Sequence, residues 1–247
     1  MIVLKSATEI EKMRQAGVVV AEALSEIRAA VKPDVTTGEI NRLADSVIMK
    51  RGATCAFPKE FPGTICASVN EELVHGIPGK RVLKEGDILS VDLAIRLNGV
   101  CADAAETFPV GKVRPEVERF LKISKQSLEK GIEQFQEENY ISDISRAIQQ
   151  CLEGAGYGVI RDYVGHGIGR KMWESPQVPN YVTGAKGTRI RRGMVLAIEP
   201  MSSMGYWEVK TLDDQWTVVS GDGSLTSHFE HTIALTDNGP EVLTGTL

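Results

Sequence analysis

Apolar positions near the start of the chain recur at helical spacing. Ile10, Met13, Gly17, Val20, Leu24 and Ile27 form one stripe, which predicts a helix over Ser6–Ala30 with Pro33 to end it. Thr36 and Glu39 have capping-box spacing and open a second helix that runs to about Lys50 and stops at Gly52. Arg114-Pro115 opens a third, to about Phe135, with proline in the first turn. Ser142–Leu152 is a fourth, stopped by Gly154 and Gly156.

Between the helix pairs the period changes to two. In Ser90–Phe108, Val91, Leu93, Ile95 and Leu97 alternate with Ser90, Asp92, Ala94 and Arg96, the pattern of a half-buried strand. Asn98-Gly99 follows, the dipeptide suited to a type I′ turn whose central residues both need φ > 0. That turn sets residue 92 opposite 105, so Asp103 becomes the diagonal neighbour of Asp92 on a face kept small by Ala94, Cys101, Ala105 and Thr107. Two carboxylates roughly 7 Å apart at Cβ reach a common ion, or two ions at roughly 3.5–4 Å. Without a cation they repel and one pKa climbs. The alternative is a solvated pair on an exposed face, and the hairpin alone does not choose.

The other stretches are shorter. Ala53–Gly79 is punctuated by Pro and Gly, with a strand at Thr64–Val69, a turn at Asn70-Glu71-Glu72 and a short return at Leu73–His75. His75 precedes Gly-Ile-Pro, where the side chain stays accessible; alone it reads most simply as structural. Ile160–Trp173 is a Gly-rich turn around His166, whose glycines let the backbone run close to a neighbour. Gly193–Pro200 is a buried strand ending in Glu199, and Val209–Ser220 and His228–Leu235 are further strands, the second carrying Glu230. A charge that interrupts or closes an apolar strand is costly unless paired. Four carboxylates and one imidazole, each on a strand or a tight Gly turn, suit a pair of first-row divalent ions (Mn, Fe or Co) better than a sulfur-rich structural zinc.

Composition narrows the partners. Hydrophobic content of 42% and charged content of 25% are those of an ordinary soluble globular protein. A net charge of −5 argues against nucleic acid or an anionic membrane surface. The apolar runs fall short of a membrane span, and the opening MIVLKSATEIEKM lacks a signal peptide's organisation. Cys55, Cys66, Cys101 and Cys151 fall in no CxxC pair, so neither a zinc knot nor a disulfide framework is expected, and a reduced cytoplasm is.

The stretches SVNEELVHGIP, SVDLAI with CAD, GHGIG, AIEPM, WTVVSGDGS and FEHTIALT together resemble the type I methionine aminopeptidases, in that family's order and spacing over almost the whole chain. Only 33 positions separate His166 from Glu199, too few for the long insertion of the type II enzymes. Aminopeptidase P and prolidase share the ligand types but normally carry a further N-terminal domain. The resemblance implies an α+β pita-bread (creatinase/aminopeptidase-like) fold, a central antiparallel sheet with helices on its outer face. It would be a single catalytic domain over 1–247 with pseudo-two-fold halves of about 1–112 and 113–247. Its implied activity is removal of N-terminal methionine from newly made proteins by a cytoplasmic monomer, through two divalent ions drawn from Mn, Fe, Co and Zn. The partners are peptide or nascent-chain N-termini and, transiently, the ribosome, with no nucleic acid and no membrane.

Residue by residue, the resemblance makes Asp92 a ligand of one metal and Asp103 and Glu230 bridges, with His166 and Glu199 completing the shells. Glu199 is also the proton shuttle, and His75 hydrogen-bonds the substrate. Cys55, Phe61, Cys66, Met172 and Trp216 would line the methionine pocket, although Pro58 and Met172 stand where the family often has aromatics. A larger departure is Trp173, at a position where the family has a histidine that donates to the scissile amide oxygen. Losing one such donor costs roughly 10²–10³ in turnover. His228 stands where the family usually has Gln, two residues before Glu230 in a strand, so it should point to the metal side. His228 is therefore expected to take over part of the missing histidine's work, with Trp173 as a steric or donor substitute. Two other readings remain open: a weak or inactive relative that binds peptide N-termini, favoured by Trp173, and an aminopeptidase of altered specificity, favoured by Pro58 and Met172.

Overall fold

Four capped or proline-led helices flank one long hairpin. The structure is a computed structural model and describes residues 2–245. Helix α1 (Ala7–Ala30) and helix α2 (Thr37–Lys50) start on capping boxes: Ser6 with Glu9, and Thr36 with Glu39. Helix α3 (Pro115–Glu133) has its proline in the first turn, and α4 (Ile141–Gly154) follows it. Every residue of the predicted α1 stripe is buried.

The main sheet has nine strands among the described residues, all antiparallel. Those that matter for the site are β1 (Cys66–Val69), β2 (Ile88–Leu97), β3 (Val100–Pro109), β4 (Gly165–Gly167), β5 (Glu174–Val178), β6 (Val195–Ile198) and β7 (Glu230–Thr236). From one edge the order is Thr54–Cys55, β2, β3, β7, β6, β4, β5, with β1 also on β2 and Gly239–Val242 on β7. Asn98 and Gly99 both have positive φ, 51° and 82°, and Leu97 pairs with Val100, so the hairpin register is the one the sequence predicts.

Alternation along these strands sends one set of side chains to the helices and the other to the opposite face. Val91, Leu93, Ile95, Ala102 and Ala104 share a core with α1 and α2. Leu196, Ile198, Ile233 and Leu235 share a second core with α3 and α4. Each large apolar side chain so buried contributes about 1.5–3 kcal/mol. The face left over carries Asp92, Asp103, Glu230 and His166.

Three strand assignments differ from the expectation. The Gly-rich stretch around His166 is not only a turn: Gly165–Gly167 is a strand inside the main sheet. A Cβ at Gly165 would lie 2.5 Å from the Ala197 carbonyl oxygen, so the neighbour these glycines approach is the next strand. Val209–Ser220 is a hairpin of Val209–Thr211 and Val218–Ser220, because Asp214 accepts the backbone N–H of Trp216 and Thr217 and turns the chain. His228–Leu235 breaks at Phe229: Thr226–His228 pairs with Met201–Ser203 in a separate small sheet, and β7 begins at Glu230.

Candidate active site

Ala105 is the pivot of the site. It pairs with Asp92 on one side and Glu230 on the other, so these two carboxylates flank one methyl group in a row across β2, β3 and β7. In the next row Ala94 pairs with Asp103, and Ala197 pairs with both Thr232 and His166. Thr232 holds Asp103 in place: its hydroxyl accepts the Asp103 N–H and donates to the Asp103 carbonyl. Glu199 follows β6 directly, and the Asn180 side chain donates to its carbonyl at 3.0 Å.

All five side chains assigned as ligands converge on one cavity. Ligand atoms of Asp103, His166 and Glu230 lie within 4.8 Å of one another. His166 Nε2 is 3.6 Å from Glu199 Oε1. Its Nδ1 is 2.9 Å from the Gly167 carbonyl oxygen, which can only accept, so the proton sits on Nδ1 and Nε2 offers its lone pair to the site. The pair Asp92 and Asp103, derived from the hairpin, is therefore grouped at the cavity rather than solvated, Asp103 buried and Asp92 half-buried with its Oδ1 out of solvent.

Such a cluster is costly without a cation. Burial drives Glu199 up to about 8, with the Asp103 charge adding to the rise and His166 opposing it. Asp103 is pushed up to about 6 by burial. Asp92 and Glu230 are held well above the usual carboxylate range by burial and by neighbouring acids. Oδ1 of Asp92, Oδ1 of Asp103 and Oε1 of Glu230 are buried with no hydrogen-bond partner among the described residues. Convergent oxygens with one oriented imidazole nitrogen fit a divalent first-row cation, whose charge would return these groups to their ionised forms.

The cavity measures about 590 Å³, and its walls include Phe61, Cys66, Met172 and Trp216. Phe61 packs edge-on against Trp216, ring centroids 5.3 Å apart. Cys55 is a correction: its thiol is turned toward the carbonyls of Gly63 and Thr64, and it is not among the lining residues. Cys55 lies on the short strand paired with β2, opposite Ile95. His75 faces the cavity from a left-handed turn position, φ 59°, with its ring edge-on to Tyr163 at 5.7 Å. Burial holds its imidazole down to about 4, with His228 adding to the effect, so it is neutral at ordinary pH.

His228 and Trp173, which the resemblance singles out, are placed very differently. His228 is 2% exposed and points into the site, Nε2 3.5 Å from Glu199 Oε2 and 3.8 Å from Glu230 Oε2. Trp173 is 56% exposed on the cavity rim and makes no hydrogen bond among the described residues. His231, on the next position of β7 after Glu230, bonds Thr244 at 2.9 Å away from the cluster. Sequence reasoning missed Tyr163, Thr232 and Asn180; the last two act through backbone bonds that no motif announces.

Residues 11–237 match the family described as metallopeptidase family M24. The chain belongs to this family. Within it, the chain is 51% identical to a methionine aminopeptidase of Clostridium acetobutylicum, with 99% of each chain covered. It is 47% identical to methionine aminopeptidase 1 of Bacillus subtilis, again over 99% of each. The crystal structure of methionine aminopeptidase from Thermotoga maritima superposes with a TM-score of 0.96 at 44% identity, covering 99% of both chains. These M24 relatives place the chain with the type I methionine aminopeptidases, and its curled antiparallel sheet under two helix pairs is the pita-bread fold. Divalent metal ions come with membership of this metallopeptidase family.

Proposed function

We propose that this chain is a metallo-exopeptidase that removes N-terminal methionine from newly made proteins, using two divalent ions. The observation that carries it is the convergence of Asp92, Asp103, His166, Glu199 and Glu230 at a cavity that Phe61, Cys66, Met172 and Trp216 also line. Mn, Fe, Co and Zn all suit that donor set. When bound, such ions acidify a water and polarise a scissile carbonyl.

The protein's own groups do the rest. Glu199, buried and proton-avid, takes a proton from the attacking water and returns it to the leaving amine. His75, neutral and fixed at the cavity wall, donates a hydrogen bond to the substrate. Phe61, Cys66, Met172 and Trp216 form a soft apolar wall that accepts an unbranched thioether. Bound chain ends make nascent N-termini the partners and the ribosome a transient neighbour. No described helix is long and apolar enough to cross a membrane; the reading takes the chain as a cytoplasmic monomer.

Incubating the Mn- or Co-loaded chain with Met-Ala-Ser and a panel of Xaa-Ala and Xaa-Pro peptides tests the proposal. Methionine release is expected. Release of another residue instead would make this an aminopeptidase of altered specificity. Silence with metal bound would favour a peptide-binding relative, the reading to which Trp173 on the rim lends weight.

A further inference from the structure

His228 is the most confined polar side chain that the mechanism leaves unused. It is 2% exposed, and neither ring nitrogen has a hydrogen-bond partner among the described residues. Leaving a buried polar atom unpaired costs about 1–3 kcal/mol, and a cation at Nε2, the nitrogen that faces the carboxylates, would relieve that one. The backbone cannot drift away from the site to relieve this. Thr107 Oγ1 accepts the His228 N–H at 2.9 Å and donates to its carbonyl at 2.9 Å, while Ser90 anchors that hydroxyl at 2.8 Å.

The direction of the ring identifies the ligand. Glu199 lies between two imidazoles: His166 Nε2 is 3.6 Å from Oε1, and His228 Nε2 is 3.5 Å from Oε2. His228 Nε2 is also 3.8 Å from Glu230 Oε2. Two donor atoms each about 2.1 Å from one cation stand about 3.4 Å apart at a tetrahedral angle. His228 Nε2 thus approaches one oxygen of Glu199 about as closely as Nε2 of the assigned ligand His166 approaches the other.

We propose that His228 is an additional nitrogen donor of the metal centre, making its ligand set two imidazoles and four carboxylates. The inference rests on the five-ligand reading above and adds to it. A second imidazole shifts preference toward nitrogen-favouring ions such as Co²⁺ and Zn²⁺ and away from oxygen-favouring Mn²⁺.

Two measurements on the full chain test this without relying on turnover. The first is pulsed electron paramagnetic resonance of the Mn²⁺- or Co²⁺-loaded chain with ¹⁵N-labelled histidine. Two directly bound imidazole nitrogens are expected in the parent and one in His228→Gln. The second is a calorimetric titration, in which His228→Gln should weaken Co²⁺ or Zn²⁺ binding roughly 10–100-fold and Mn²⁺ binding less. A single nitrogen in the parent overturns the proposal while leaving the five-ligand reading intact, and that count needs no variant to fold. A variant that keeps its Co²⁺ affinity but loses turnover also overturns it, and assigns His228 to the substrate. A parent chain that takes up no divalent ion sinks both readings together.

Discussion

Asp92 and Asp103 are diagonal neighbours across a single hairpin, Asp103 buried and Asp92 half-buried, and burial raises both carboxyls above their usual range. Without a cation this arrangement stores like-charge repulsion; with one it becomes a chelate. Asp103→Asn should therefore have opposite effects on two observables. The cation-free protein should melt higher, by about 2–4 °C for each kcal/mol of repulsion removed. Cation uptake measured by elemental analysis should fall below stoichiometric. Uptake equal to the parent's would remove Asp103 from the ligand set.

The pH dependence of stability follows from the same cluster. Carboxyls raised in the folded state, Glu199 to about 8 and Asp92 and Glu230 well above usual, hold protons that the unfolded chain has released. Their penalty is absent below the unfolded pKa and grows as pH rises through the folded one. His75, His228 and His231 are lowered from 6.5 to about 4 and act oppositely, their penalty fading as pH rises to 6.5. Between pH 6.5 and 8 only the carboxyl effect remains of the two. The cation-free chain should lose stability across that interval, and saturating Co²⁺ should remove the slope. Thermal melts at stepped pH, with and without the ion, measure it.

His75 tests the substrate side independently of the metal. Its ring is at the cavity wall but is not a member of the carboxylate cluster. His75→Ala should lower kcat for Met-Ala-Ser by roughly 10²–10³, with cation content unchanged and KM moving less. Loss of the ion along with turnover would mean that His75 supports the centre rather than the substrate.

How much of this was legible in the sequence depended on how local the determinant is. The hairpin register was, because Asn98-Gly99 fixes it within the two arms. The starts of α1 and α2 were, because Ser6 with Glu9 and Thr36 with Glu39 close their caps within one turn. The strand at Gly165–Gly167 was not, since Gly165 answers to the carbonyl of Ala197, which is distant in sequence. Strand β5 escaped as well: it carries Pro176 and polar residues, and pairing with β4 alone defines it. Cys55 was named for the pocket by resemblance alone, and its thiol turns to the carbonyls of Gly63 and Thr64 instead, a contact that no spacing along the chain announces.

Gly165 offers a check on that long-range contact. A methyl group there would sit 2.5 Å from the Ala197 carbonyl oxygen, so the strand carrying His166 must shift. Gly165→Ala should cost about 1–3 kcal/mol of stability and weaken cation binding, because the displaced ring no longer presents Nε2 to Glu199. Calorimetry and metal titration on the same preparation read both. A variant that melts and binds like the parent would show that the two strands have slack the geometry denies.

Trp173 separates two roles that the sequence left joined, donor and steric wall. Its ring lies on the rim, 56% exposed, and the loop beneath is fixed by the buried Lys5–Glu174 pair at 2.7 Å. An indole held there cannot retract, yet its N–H bonds to no described residue, whereas its large face borders the space a peptide must cross. Trp173→Phe keeps the ring and deletes the donor, so it should leave kcat within about threefold of the parent, below the roughly 10²–10³ of a lost donor. Trp173→Ala deletes the wall and should raise KM for tripeptides more than it lowers kcat, with stability within about 0.5 kcal/mol, as for an exposed position. Steady-state kinetics on both variants decide between the roles. A collapse of kcat in Trp173→Phe would restore the indole N–H as a donor to the reacting amide, and the wall assignment would have to be given up.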